Sequence, residues 1–234
     1  MRLILSIILM FTMQGLVSYN SCAFGFTPLL PEQPTVTAAL QNLNRSYLGP
    51  KDTAFEVEGL GGHLGMAASV TPNVSVNLGL GHLAHSRFHG PMDLEGSYGH
   101  QVHVGLDVGG QILRDFYVLG LVRYNQENWK FSSDFIMDRP LTVELDSKVV
   151  TGGVGVRYRI PKINFYGRVE RVILEENEGQ ARFTVLGSEF EYERDKKLYV
   201  NAGVGLELSR KVGLRFEKYW VGDESWTVAL DVSL

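Results

Sequence analysis

From about Phe55 to Leu234 the chain alternates apolar and polar residues with a period of two, the spacing of half-buried strands. Tyr98–Ile112 is the clearest run. Tyr98, His100, Val102, Val104, Leu106, Val108, Gly110 and Ile112 share one face, and Gly99, Gln101, His103, Gly105, Asp107, Gly109 and Gln111 share the other. Leu198–Leu208 and Trp226–Leu234 repeat the pattern. Weaker versions run through Val74–Arg87, Phe116–Phe131, Val149–Ile160, Ile163–Leu174 and Val212–Trp220. Phe55–Val70 alternates only if its phase changes near Gly59, which predicts a bulge there. The segment before these strands reads differently. Val36, Ala39, Leu40, Leu43 and Tyr47 fall at helical spacing after Thr35 and before Gly49-Pro50, which predicts a short amphipathic helix over 36–48. A strand is the competing reading, because Val36, Ala38 and Leu40 also alternate.

The connections alternate in length. Tight turns are expected at Thr71-Pro72-Asn73, Arg114-Asp115, Pro161-Lys162 and Arg210-Lys211. Longer polar stretches lie between them at His89–Ser97, Ser132–Ser147 and Glu175–Lys197, and a last loop, Gly222–Ser225, belongs to the same side by parity. One end of the sheet thus carries turns and the other carries loops, as in an all-β, antiparallel, up-and-down transmembrane β-barrel. A propeller needs four short strands per blade, where each interval here holds two long ones. A lipocalin-like barrel would place its apolar face inward, and a sandwich uses shorter strands. Nine strands are legible from Phe55 onward. An even number then requires either 36–48 as a first strand, giving ten, or one strand fewer, giving eight; ten is the preferred count.

Met1–Leu16 carries one charge, at Arg2, and then an apolar run too short for a comfortable span. With Ser21 and Ala23 as a small-x-small site, residues 1–23 read as a secretory signal peptide that leaves with Cys22, the one cysteine. The expected organisation is this signal, an N-terminal segment over 24–52 and a barrel over 53–234.

Composition narrows the function classes. The chain has 234 residues and a formal charge of −4, which gives no basic face for nucleic acid. A single Cys excludes a disulfide framework and a four-Cys zinc site. All six His fall between residues 63 and 103. His82, His85 and His89 look metal-like, but strand alternation puts His82 and His85 on opposite faces, so no metal site and no cofactor is expected.

Aromatics are expected to form two girdles, with Phe55, Tyr98, Trp129, Trp220 and Trp226 at the loop ends of strands and Phe116, Tyr158 and Phe165 near the turn ends. The polar face sends Arg123, Arg157, Arg159, Arg168 and Arg215 inward with Asp107, Glu170, Glu207, Glu217 and Asp231. Five charges of each sign predict a salt-bridge network that plugs the lumen, against a polar pore lined by the same groups. Among neighbours in sequence, a nucleophile–base pair is offered only by Ser86 with His85 or His89, or by Ser97 with His100.

Together these features resemble the small bacterial outer-membrane β-barrels, in the broad OmpA-like and opacity-adhesin-like grouping. The resemblance is one of architecture and covers about 55–234, extending to 36 if that segment is a strand. It implies a Gram-negative outer-membrane, porin-like protein with surface-exposed loops, assembled by the barrel insertion machinery among lipopolysaccharide. The terminal Leu234 departs from the Phe or Trp with which many such barrels end. The acidic stretch 175–197, with seven acids and four bases, suits contact with a host or cell-surface ligand. The expected role is structural or adhesin-like surface interaction, with a narrow passive channel as the alternative and a lipid A-modifying enzyme as the second.

Overall fold

The computed structural model describes residues 33–90, 93–136, 139–183, 186–222 and 224–234. Ten antiparallel strands close a ring: β1 (Thr35–Leu48), β2 (Ala54–Thr71), β3 (Val74–His89), β4 (Leu94–Leu113), β5 (Phe116–Ile136), β6 (Arg139–Ile160), β7 (Ile163–Phe183), β10 (Leu198–Glu207), β11 (Val212–Val221) and β12 (Trp226–Ser233). Between β7 and β10 lie β8 (Leu186–Glu191), which hairpins onto the upper part of β7, and β9 (Glu193–Arg194), which pairs with β1. β1 closes the ring by pairing with both β12 and β2. The expected signal peptide, with its cleavage site and Cys22, lies outside the described residues.

β1 replaces the helix expected over 36–48. Ala39, Leu43 and Tyr47 recur every four residues, and so do Val36 and Leu40. Four is an even number, so each set stays on one face of a strand as readily as of a helix. Here Ala39, Leu43 and Tyr47 are buried inside, while Val36 and Leu40 face outward. Hydrogen bonding to β12 and β2 satisfies both edges of the segment, which a helix would have left with two unclosed neighbours.

The tight turns fall at 72–73, 114–115 and 161–162, with 208–211 as a slightly longer one. Asp115 and Lys162 take φ of +68° and +66°, the left-handed conformation that closes a two-residue connection. The bulge expected in Phe55–Val70 sits on the partner strand instead. Pairing slips between Leu60 and Gly61 because Ala84 of β3 is extra, and β2 keeps one phase from Phe55 to Ala67; a second slip, between Ser69 and Thr71, lies at its turn end. This slip reverses the phase of β3, so that His82 and His85 both face outward, not to opposite sides.

Ser132–Ser147 and Glu175–Lys197 are mostly strand, not loop. β5, β6 and β7 run for 21, 22 and 21 residues, where about 9–11 suffice to cross a bilayer. The outward residues Tyr124, Val150 and Leu174 form one rung across these strands, and Gln126, Lys148 and Glu176 form the next. Below that boundary the exposed face carries Val122, Val154, Val156, Val169 and Ile173, and the same band continues round through Leu64, Met66, Leu78, Leu80, Val104, Leu206 and Phe216. A continuous exposed apolar belt of this extent is a lipid-facing surface. Above the boundary the outward face is polar: Lys130 pairs with Glu144, and Lys148 pairs with Glu176 at 3.2 Å. The inner face there is apolar, with Trp129, Phe131, Leu141, Val143 and Leu145.

Candidate functional site: the barrel lumen

The upper lumen is a packed core. Tyr47, Phe55, Phe88, Phe131 and Trp129 enter from β1, β2, β3 and β5, and Tyr192 arrives from the segment between β8 and β9. Tyr47 stacks on Phe55 at 5.3 Å, Phe55 on Phe88 at 5.0 Å, and Tyr192 meets Tyr47 edge-on at 5.2 Å. Phe55 and Trp129 therefore do not belong to a lipid-facing girdle. They share the inward phase of their strands and lie above the boundary, where that phase is apolar; Trp129 is 1% exposed. The Trp129 ring fits because Gly99 and Gly59 lie beneath it, where a Cβ would come to 2.8 and 3.1 Å. Tyr98, Trp220 and Trp226 at the loop end, and Phe116, Tyr158 and Phe165 at the turn end, lie on the outward phase. Lys218 places its ammonium 5.2 Å from the Trp220 ring, an arrangement suited to the edge of a bilayer.

Directly below the aromatic core, the Glu127 carboxylate joins Arg45 of β1 and Arg194 of β9, the latter at 3.4 Å. Arg194 also donates to the Tyr199 hydroxyl at 3.0 Å. Gln41 donates to Gln101 at 3.3 Å, and the His103 ring bonds with Asn77 at 2.6 Å and Asn125 at 3.0 Å.

The charged groups expected in the lumen occupy its middle and its turn end. Arg123 pairs with Asp107, which also accepts from Ser75 at 3.4 Å. Arg168 pairs with Glu217 and donates to Asn201 at 3.2 Å. Arg215 spans Glu217 and Asp231, reaching Asp231 at 2.9 and 3.0 Å, and Thr37 donates to Asp231 at 2.7 Å. Glu170 accepts from Thr151 at 2.8 Å. Toward the tight turns, Arg159 meets Glu207 at 3.0 Å, and the Arg157 guanidinium lies 4.2 Å from the Tyr117 ring centre. Each of these side chains is on the inward phase, and each carboxylate has a donor within the same layer, which offsets the cost of removing it from water.

Sequence reasoning missed Arg45, Glu127 and Arg194. Glu127 shares the face of Arg123, two pleat repeats further up, so its inward direction was open to the same argument. Arg45 was hidden by the helical reading of β1, and Arg194 lies on a return segment with no periodicity to read. Of the pairs considered for nucleophilic chemistry, Ser86 is buried inside while His85 is exposed outside; as neighbours on one strand they face opposite sides. No group of three or more His, Cys, Asp or Glu residues with metal-holding geometry occurs among the described residues.

No family model matches this chain, and no curated protein matches it. Solved structures do. The translocator domain of the autotransporter NalP from Neisseria meningitidis superposes with a TM-score of 0.56 at 12% identity, covering 87% of this chain and 89% of that one. The attachment invasion locus protein Ail of Yersinia pestis gives 0.35 at 10% identity, over 87% and 98%. The β domain of the Bordetella autotransporter BrkA gives 0.37 at 13% identity, over 87% and 100%. With its closed ten-stranded ring, its lipid-facing belt and the NalP superposition, this chain has the porin-like transmembrane fold of the bacterial outer-membrane β-barrels.

Proposed function

We propose that this protein is a sealed outer-membrane barrel that carries a rigid β-extension for contact with another surface. The supporting observation is the packed upper lumen, where Leu43, Tyr47, Val57, Leu83, Trp129 and Phe131 are each 1% exposed or less. Such a core resembles the side-chain-filled interior of a small closed barrel. The ion-paired layers below it act as the remainder of the plug. The extension itself is acidic on its outward face, with Glu144, Asp146, Glu176, Glu178, Glu189 and Glu191 against Lys130, Lys148 and Arg182. That balance suits lipopolysaccharide bridged by divalent cations or a basic patch on a host or neighbouring cell surface. Residues 1–23 would direct export, and the barrel insertion machinery would complete assembly.

Planar-bilayer recording tests the seal. The refolded protein is expected to show no steady conductance, and Trp129→Ala combined with Phe131→Ala is expected to stay closed, because the ion-paired layers below those rings remain in place. Steady conductance by the unaltered protein, changed in Arg157→Ala or Glu207→Ala, would replace this reading with a narrow passive channel. A change in lipid A mass on expression would instead indicate an enzyme. Trimming 177–195 should abolish surface binding without altering the heat-dependent gel mobility of the barrel.

A further inference from the structure

The lumen is filled at its loop end but not at its turn end. There a cavity of about 220 Å³ opens between β6, β7, β10, β11 and β12, room for roughly seven waters at about 30 Å³ each. We propose that this vestibule binds a phosphate-class oxyanion from the periplasmic side. It is a site separate from the outer extension and does not depend on the function proposed for it.

Charge and preorganisation carry the argument. Arg157, Arg159, Arg210 and Lys211 line the cavity against two carboxylates, Glu207 and Asp231. Both carboxylates are already engaged. Glu207 is held by Arg159 at 3.0 Å and Asn164 at 3.5 Å. Asp231 is held by Arg215, outside the cavity lining, and by Thr37 at 2.7 Å. The vestibule therefore keeps a net positive field that the five-against-five balance of the lumen charges does not suggest. Arg157 is 8% exposed and braced on Tyr117, so its planar fork is fixed before an anion arrives. A fixed guanidinium fork matches the oxygens of phosphate and suffers little ordering cost on binding.

Two glycines keep the space open. Gly205 faces Tyr166, whose hydroxyl would lie 2.6 Å from an added Cβ. The missing side chain thus lets the Tyr166 hydroxyl reach the cavity wall. Gly213 has nothing closer to its Cβ position than the Leu206 carbonyl oxygen at 3.5 Å and the Asp231 Cβ at 4.0 Å. A side chain fits there sterically and would occupy the cavity.

The same chemistry has two sources, soluble phosphate and the headgroup of an anionic phospholipid in the inner leaflet. The full chain, refolded in neutral detergent, is titrated with inorganic phosphate by calorimetry. In parallel it is placed in nanodiscs of phosphatidylcholine with or without phosphatidylglycerol and examined by native mass spectrometry for retained lipid. Saturable phosphate binding identifies the soluble anion as a ligand; retention of phosphatidylglycerol alone identifies the headgroup. Either must weaken at least tenfold in Arg157→Gln/Arg159→Gln and be lost in Gly213→Leu. Arg210→Gln/Lys211→Gln changes only exposed turn residues and should weaken binding about threefold, which keeps the test valid if the interior variants fail to give the heat-modifiable barrel. Absence of saturable binding by either probe, or binding equal in the folded variants and the parent, overturns the proposal.

Discussion

Glu127 is 1% exposed and lies between two guanidiniums contributed by strands far apart in the chain, Arg45 and Arg194. Removing the carboxylate leaves two buried cations facing each other, which costs about 3–5 kcal/mol. Glu207 offers the opposite case on the same inward phase. It pairs with Arg159 where both side chains are about one-third exposed, and such solvated pairs contribute about 0–1 kcal/mol. Urea unfolding in micelles should therefore rank Glu127→Ala well below Glu207→Ala in stability. Equal losses would mean that the upper layer is hydrated and the barrel less sealed than its packing implies. The same comparison shows what a linear reading can reach. Strand parity alone assigns an inward direction to Glu207 and Arg159, and equally to Glu127. It cannot supply Arg194, whose partner is set by a two-residue pairing between β9 and β1.

At the scale of elements, the strands of the lower barrel were legible because lipid outside and polar groups inside enforce strict alternation. The upper halves of β5, β6 and β7 were not, because the alternation inverts at the rung Gln126–Lys148–Glu176. A polar outward face in 132–147 and 175–197 resembles loop composition until the inward Trp129, Phe131, Val143 and Leu145 are read against it. The return segment after β8 depends on that inverted core. Tyr192 is buried in it, donates to the Asp146 carbonyl at 3.0 Å, and accepts at its own carbonyl from Asn177 at 3.1 Å. Burial, with the neighbouring Tyr47 and Glu127 adding to it, pushes the Tyr192 phenol well above its usual value of 10. A folded pKa raised above the released one stabilises docking fully below about pH 10, and that contribution falls as pH rises further. A spin label at Lys196→Cys should gain mobility above pH 10, and Tyr192→Phe should move that onset upward. The same onset with and without the phenol would show that another group holds the segment.

Seen whole, the molecule is one sheet in two environments: a lipid-facing barrel below the boundary rung and a water-facing extension above it. The inversion places three tryptophans in two environments. Trp220 and Trp226 face outward on β11 and β12, with Lys218 beside the former, while Trp129 is enclosed over Gly99 and Gly59. Interfacial aromatics contact acyl chains and headgroups, whereas a ring inside a packed extension contacts neither. Reconstitution into brominated phospholipid vesicles distinguishes the two, because bromine quenches only indoles that touch lipid. Fluorescence of the parent should fall strongly, that of Trp129→Phe should fall at least as far, and that of Trp220→Phe/Trp226→Phe should stay nearly unchanged. Strong quenching in the last variant would place Trp129 against lipid, and the upper sheet would then have to continue the lower one with its apolar face outward. Protection of Trp129, by contrast, requires that its ring point into the packed core and away from lipid, as its enclosure over Gly99 and Gly59 implies.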